Sequence, residues 1–153
     1  MSNVEKDLAT VEKIFEIVES RLRSLSETND SHNGRAATIF GFGGIILSIA
    51  FSIYAMGKPV MWLFILGIFF IFISLLMSIF AMKTREFWED PHPRSLRDRY
   101  IRKGYKEVLE QVIANRIECY EHNLGILEKK ARMVNYGFYC VFIGLCFLAF
   151  SVL

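Results

Sequence analysis

Three long runs without a charged side chain place the strongest constraint on what this 153-residue chain can fold into. They contain 22 residues between Arg35 and Lys58, 24 between Lys58 and Lys83, and 21 from Met133 to Leu153. A bilayer core of about 30 Å needs about 20 helical residues, because each residue adds about 1.5 Å. All three runs reach that length, whereas buried helices of soluble proteins are usually shorter. The sequence therefore predicts an all-α integral membrane protein with three transmembrane helices.

Basic residues are distributed very unequally among the segments outside these runs. The segment before the first run carries five, the segment 83–132 carries twelve, and the turn between the first two runs carries only Lys58. A short turn returns the chain to its starting side, so seventeen basic residues share one face of the membrane. Because basic residues concentrate on the cytoplasmic face, we expect a multi-pass protein of the cell inner membrane with a cytoplasmic N-terminus.

The same pattern divides the chain into four segments. Residues 1–35 are predicted to form a cytoplasmic amphipathic N-terminal helix and a polar linker, and residues 36–82 a transmembrane helical hairpin. Residues 83–132 are predicted to form a cytoplasmic helical segment, and residues 133–153 the third transmembrane helix. The linker is the polar stretch 26–34, whose serine, asparagine, aspartate and glycine residues favour a break before the first span.

Two stripes of apolar residues in the cytoplasmic segments need a partner surface. Alternating steps of four and three define the first stripe: Val4, Leu8, Val11, Phe15, Val18, Leu22 and Leu25. The second stripe leads into the third span: Ile113, Ile117, Tyr120, Leu124, Leu127, Ala131 and Val134. Both stripes approach the membrane towards their C-terminal ends. This heptad spacing predicts cytoplasmic amphipathic helices that pair in parallel, as in a coiled coil, within one subunit or between subunits.

Small residues recur at four-residue spacing in each predicted span, and such faces let membrane helices approach closely. The candidate helix-packing or pore-lining residues are Ala37, Gly41, Gly44, Ser48 and Ser52 in the first span, Ser74 and Ser78 in the second, and Cys140 and Gly144 in the third. The faces fit packing inside one three-helix unit, or packing between the subunits of a homo-oligomer that surrounds a pore. No ionisable Asp, Glu, Lys, Arg or His lies within these spans, which argues against proton relays, ion-coupled transport and voltage sensing.

The most distinctive charged feature is a basic cluster between the second and third spans, in which only Asp98 opposes six cations. Its members are Arg94, Arg97, Arg99, Arg102, Lys103 and Lys106. They are candidate contacts for anionic lipid headgroups or for a phosphorylated ligand. A solvated, positively charged flank of the membrane is the third interpretation.

Arg116 and His122 have the Arg-x5-His spacing of helical ribonucleases of the HEPN type. Ile117 follows the arginine here, where those enzymes typically carry a polar residue. Six residues apart on an ideal helix, the two side chains point about 120° away from each other. Two solvated residues on a charged helix are the simpler interpretation. With no nucleophile motif, paired carboxylates, glycine loop or metal-ligand spacing, the sequence predicts no enzyme, no cofactor and no metal.

Several short motifs accompany the predicted spans. They are the lead-in Arg35-Ala36-Ala37, the tight helical hairpin, the exit Lys83-Thr84-Arg85 with Pro91 and Pro93, and Asn123 followed by Glu128-Lys129-Lys130-Ala131. This arrangement resembles small prokaryotic membrane effectors of antiviral defence, the SLATT and Pycsar-associated transmembrane types, over most of the chain. The resemblance implies a protein that responds to a nucleotide signal or a partner by oligomerising and perturbing the inner membrane.

Three functional hypotheses follow. The leading one is a non-enzymatic inner-membrane effector whose cytoplasmic helices receive a signal and whose spans assemble into a membrane-disrupting or pore-like oligomer. The alternative is a passive membrane anchor or scaffold that binds a soluble partner through its heptad helices. The third is a cytoplasmic-face nuclease that uses Arg116 and His122. Expected partners are the lipid bilayer, further copies of the chain, and a soluble cytoplasmic protein or a nucleotide signal; we expect no direct contact with nucleic acid.

Overall fold

A computed structural model describes residues 3–57, 59–83, 88 and 104–153, without the side chains of residues 3–6 and 56. These residues form three helices: α1 over Asn3–Met56, α2 over Met61–Met82 and α3 over Tyr105–Val152. Each helix contains a stretch long and apolar enough to cross a membrane. The all-α architecture with three membrane-spanning helices, predicted from the three uncharged runs, is confirmed.

The chain divides into two compact units. The charged unit comprises residues 1–29 and 85–127, and the apolar unit comprises residues 30–84 and 128–153. Helices α1 and α3 contribute to both units, whereas α2 belongs to the apolar unit alone.

In the charged unit, the first part of α1 packs against the first part of α3. The predicted first stripe is the packed face of α1, with Phe15 and Leu22 half-buried and Leu25 only 6% exposed; the side chain of Val4 lies outside the described residues. Early contacts join Asp7 to Lys106, and later ones join Glu19 to Arg116. Later residues of α1 therefore meet later residues of α3, so the two segments run in parallel.

The packed face of α3 follows the predicted stripe except at Ile117. Ile113, Leu127 and Val134 are buried as the stripe requires, but Ile117 is 42% exposed. The face also includes three polar residues at seven-residue spacing: Arg116, Asn123 and Lys130. Apolar periodicity does not select these positions, because it does not register a polar side chain that packs with partners.

The polar stretch 26–34 is helical, whereas its composition favours a break. Steps of four, three and four lead from Leu25 through Asn29 and His32 to Ala36, and all four of these positions are buried or half-buried. The packed face of α1 thus continues through the polar stretch with polar side chains. Local polar groups also fit a helix here, since the Thr28 hydroxyl donates to the Ser24 carbonyl at 2.8 Å.

In the apolar unit, α2 runs antiparallel to α1 and to the last part of α3. Ala36, Ala81 and Val134 meet in a buried cluster at one end. At the other end, the backbone N–H of Val60 donates to the Ser151 carbonyl at 2.8 Å. This bond gives a partner to a backbone group that has none within its own helix, which matters most where no water is present.

Candidate functional site

The interface between α2 and α3 is built from small residues that let the two backbones come close. The Ser74 hydroxyl, fully buried, donates to the Gly137 carbonyl at 2.8 Å. A Cβ atom on Gly144 would lie 2.8 Å from Ile71 Cδ1 and 3.0 Å from the Gly67 carbonyl oxygen. Ser78 is also buried beside Gly137. These candidate residues therefore pack inside the apolar unit, as small faces in membrane helices commonly do.

The small residues of α1 have a different environment, because they lie on the exposed side of the helix. We call them the outward small face: Ala37, Gly41, Gly44, Ser48 and Ser52. A Cβ atom on Gly41 or Gly44 would meet nothing within 4 Å. The Ser48 and Ser52 hydroxyls donate to the carbonyls of Gly44 and Ser48 at 3.0 Å, so both are satisfied within the helix. Cys140, the remaining candidate, is half-buried on α3.

Gly43 is a packing residue that the four-residue spacing does not select. A Cβ atom on it would lie 2.6 Å from Leu75 Cδ2. The sequence does contain a signal for it, since Ala36, Gly43 and Ala50 are small residues at seven-residue spacing, and all three are buried. Gly43 therefore faces α2, whereas its neighbour Gly44 faces away from the protein.

Arg116 is held within the charged unit by two contacts with α1. Its guanidinium lies over the Phe15 ring, 4.6 Å from the centroid, and Nη1 is 3.7 Å from Glu19 Oε2. The side chain is only 16% exposed. Such a cation–π contact with an accompanying ion pair stabilises helix packing, and it is a structural role that the Arg-x5-His spacing does not reveal.

His122 has a separate environment from that of Arg116. Its ring stacks on Trp88 with 4.0 Å between centroids and 15° between planes. The adjacent Asn123 completes the contact, because Oδ1 accepts from the Trp88 N–H at 2.9 Å and Nδ2 donates to the Trp88 carbonyl at 3.0 Å. Trp88 is not among the residues predicted from the sequence, and Asn123 is named there only as part of a motif, although its seven-residue spacing from Arg116 and Lys130 marks it as a packing position.

A polar layer, consisting of Asp30, His32, Arg35 and Lys130, lies in the apolar unit. Burial lowers the pKa of His32 below 6.5, and the charges of Arg35 and Lys130 lower it further. Burial also lowers the pKa of Lys130, while the Asp30 carboxylate opposes that shift. The layer therefore favours a neutral His32 imidazole between cations.

Most of the predicted basic cluster lies outside the described residues, namely Arg94, Arg97, Arg99, Arg102 and Lys103. Lys106 is described, and its Nζ lies 3.8 Å from an Asp7 oxygen and 3.9 Å from a Glu110 oxygen. Its charge is thus offset within the charged unit. In the parts of the chain that the structure describes, no group of three His, Cys, Asp or Glu residues is arranged to hold a metal ion.

The fold and these sites define a helical membrane protein with three spans and a charged helical unit. The family profile of the Pycsar effector protein domain, PycTM, matches residues 18–153. The chain belongs to this family of transmembrane effectors, which confirms the resemblance drawn from the sequence and the membrane location. No curated protein and no solved structure matches the chain significantly.

Proposed function

We propose that this protein is a non-enzymatic inner-membrane effector of antiviral defence that oligomerises and permeabilises the membrane when its cytoplasmic helices receive a signal. Membership of the Pycsar effector family supports the role of membrane effector in defence. The single observation that supports oligomerisation is the outward small face of α1. The unequal distribution of basic residues supports the cytoplasmic position of the charged unit.

The outward small face suits contact with another copy of the chain. Between helices in lipid, apolar surface gives little driving force, and close backbone approach through small residues contributes most. Ser74, Ser78, Gly137 and Gly144 of α2 and α3 are already covered within the apolar unit, whereas a Cβ atom on Gly41 or Gly44 would meet nothing within 4 Å. Because the Ser48 and Ser52 hydroxyls are satisfied within α1, the face tolerates lipid before assembly. The same hydroxyls would offer polar atoms to water if the assembled helices enclosed a pore.

The two rival functions have less support from the contacts of the charged unit. A scaffold that binds a partner through the first heptad stripe needs that stripe exposed, but Leu8, Phe15 and Leu25 pack within the unit. A nuclease of the HEPN type needs Arg116 and His122 at one site. Instead, Arg116 contacts α1, and His122 stacks on Trp88.

The test compares induced cells that express the wild type, a Gly41→Leu, Gly44→Leu double variant, or a Cys146→Leu control. The control adds similar bulk at an exposed position of α3. Membrane potential is followed with a voltage-sensitive dye, and assembly by cross-linking in membranes. The wild type and the control should depolarise the cells and cross-link as oligomers, whereas the double variant should insert normally but do neither.

Two outcomes would contradict the proposal. If the double variant assembles and depolarises like the wild type, the outward small face is not the oligomer contact. If the wild type changes neither membrane potential nor growth, alone and with its genomic neighbours, the protein is not a membrane-permeabilising effector.

A further inference from the structure

A groove lies between the outer surfaces of α1 and α3 in the apolar unit. Its first part has a volume of about 660 Å³, and its second part a volume of about 320 Å³. Ile46 and Leu145 line both parts, so the two parts adjoin along the helices. The groove is open along its side, which gives it access to the surrounding lipid.

The walls of the first part are apolar, and its polar groups lie at one end. Phe42, Ile46, Phe138 and Leu145 line the body of the groove. Thr38 adds no unsatisfied group, because its hydroxyl donates to the Gly34 carbonyl at 2.9 Å. Arg35 and Asn135 line the groove at its polar end, and both are exposed. The groove therefore suits an amphipathic ligand with one polar end and a long apolar body.

The length of the first part corresponds to one leaflet of a bilayer. Eleven helical steps separate Arg35 from Ile46, which amounts to about 16 Å along α1. Half of a hydrocarbon core of about 30 Å is about 15 Å. An acyl chain whose headgroup lies beside Arg35 would thus end near Ile46.

The charges around the polar end favour an anionic headgroup. The described part of the apolar unit carries five cations and two carboxylates: Arg35, Lys83, Lys129, Lys130 and Arg132 against Asp30 and Glu128. All seven lie at the end of the unit where α1 and α3 enter it and α2 ends. Basic residues at a membrane surface each favour anionic lipid by about 1 kcal/mol.

We propose that this groove binds one acyl chain of an anionic phospholipid, with the lipid phosphate held at Arg35 and Asn135. A helix from a second copy fits less well, because helix contacts in membranes need small residues and this groove is lined by large ones. The outward small face lies about 120° around α1 from the groove. The proposal requires only that the protein resides in a membrane, so it stands or falls independently of pore formation.

The first experiment measures lipid retention by native mass spectrometry of the full chain. Phosphatidylglycerol is compared with phosphatidylcholine of the same acyl chains, for the wild type, Arg35→Gln and the control Arg21→Gln. Arg21 is an exposed cation of the charged unit, so it is not among the charges at the polar end of the groove. The wild type and the control should retain phosphatidylglycerol preferentially, and Arg35→Gln should lower that preference by about fivefold, the equivalent of about 1 kcal/mol.

The second experiment fills the groove. Ile46→Trp places a large ring where the two parts of the groove meet, whereas the control Ile45→Trp adds the same ring at a position 56% exposed and outside the groove. Ile46→Trp should abolish retention of the bound lipid, and Ile45→Trp should leave it unchanged.

Three results would overturn the proposal. The first is equal retention of the two lipids by the wild type. The second is unchanged retention of phosphatidylglycerol in both Arg35→Gln and Ile46→Trp. The third is a change of oligomeric state in Ile46→Trp without a change in lipid retention, which would assign the groove to a second copy of the chain. Arg35→Gln alters an exposed side chain, so we expect this variant to fold. It therefore tests the proposal even if Ile46→Trp does not fold.

Discussion

Asn123 binds both backbone polar groups of Trp88, accepting from its N–H at 2.9 Å and donating to its carbonyl at 3.0 Å. Asn123 is only 3% exposed, so water does not compete freely for these bonds. The neighbouring His122 stacks on the Trp88 ring. One side chain of α3, with help from an adjacent ring, thus fixes a residue that follows α2 by six positions.

We expect Asn123→Ala to release Trp88 from α3. Losing two buried hydrogen bonds should lower the free energy of unfolding of the charged unit by about 1–3 kcal/mol. The emission of Trp88, measured in a Trp62→Phe background, should shift to longer wavelength as the ring becomes more solvated. Asn115→Ala serves as the control, because Asn115 makes an exposed 3.4 Å bond to Gln111. Equal emission in both variants would contradict the role of Asn123.

His122→Phe should preserve the contact with Trp88, because a phenyl ring can stack in the same place. We expect this variant to keep the stability of the wild type and the depolarisation proposed for it, whereas His122→Ala should lose stability. The measurements are thermal unfolding in detergent, membrane potential in cells and the integrity of cellular RNA. A nuclease needs the imidazole for proton transfer. Loss of RNA cleavage in His122→Phe at unchanged stability would therefore favour the nuclease interpretation.

Gly144→Ala should destabilise the packing of the spans. The added Cβ would lie 2.8 Å from Ile71 Cδ1 and 3.0 Å from the Gly67 carbonyl, and the carbonyl cannot move as a side chain end can. Overpacking of this kind costs about 1–3 kcal/mol, which should appear as a lower midpoint of thermal unfolding. The matched control is Gly41→Ala, whose Cβ meets nothing within 4 Å. A decrease of similar size in both variants would argue against close packing at Gly144.

The stability of the protein should fall on acidification, partly because of His32. The folded state lowers the pKa of His32 below 6.5, so near and below that pH the unfolded chain binds more protons than the folded one. Stability therefore rises with pH through this window and falls as pH drops below about 6.5. We expect His32→Gln to reduce the difference in unfolding midpoint between about pH 7.5 and about pH 5.5. An unchanged difference would show that His32 does not contribute.

The spans were predictable because length and absence of charge are properties of the sequence alone. The packed side of α3 was predictable only in part. Ile113 and Leu127 follow from apolar spacing, but Arg116 and Asn123 do not, since each is buried through a partner distant in the chain: Phe15 and Trp88. Likewise, the helical conformation of the stretch 26–34 depends on packing, which overrides the local preference of its polar residues for a turn.

Whether each small-residue face is buried or exposed could also not be predicted from the sequence. Ser74 and Ser48 belong to faces with similar spacing, yet one is buried and the other exposed. Spacing shows that a helix can approach another closely, but not which neighbour it has. Gly43 and Gly44 illustrate this point, because a rotation of about 100° per residue separates a packed glycine from an exposed one.

The residues spaced seven apart on α3, from Arg116 to Gly144, restrict how this helix can align along the helices that it packs against. A seam of identical leucines would let one helix slide past another by a heptad with little change in energy, since each layer would resemble the next. On α3, the guanidinium of Arg116 meets an aromatic ring, the amide of Asn123 meets a peptide group, and Gly137 and Gly144 meet α2. If α3 slid by seven residues, each of these groups would face a surface that offers it no matching contact. As with a single buried asparagine in a coiled coil, unlike layers lower the maximum attainable stability and exclude mispaired alignments.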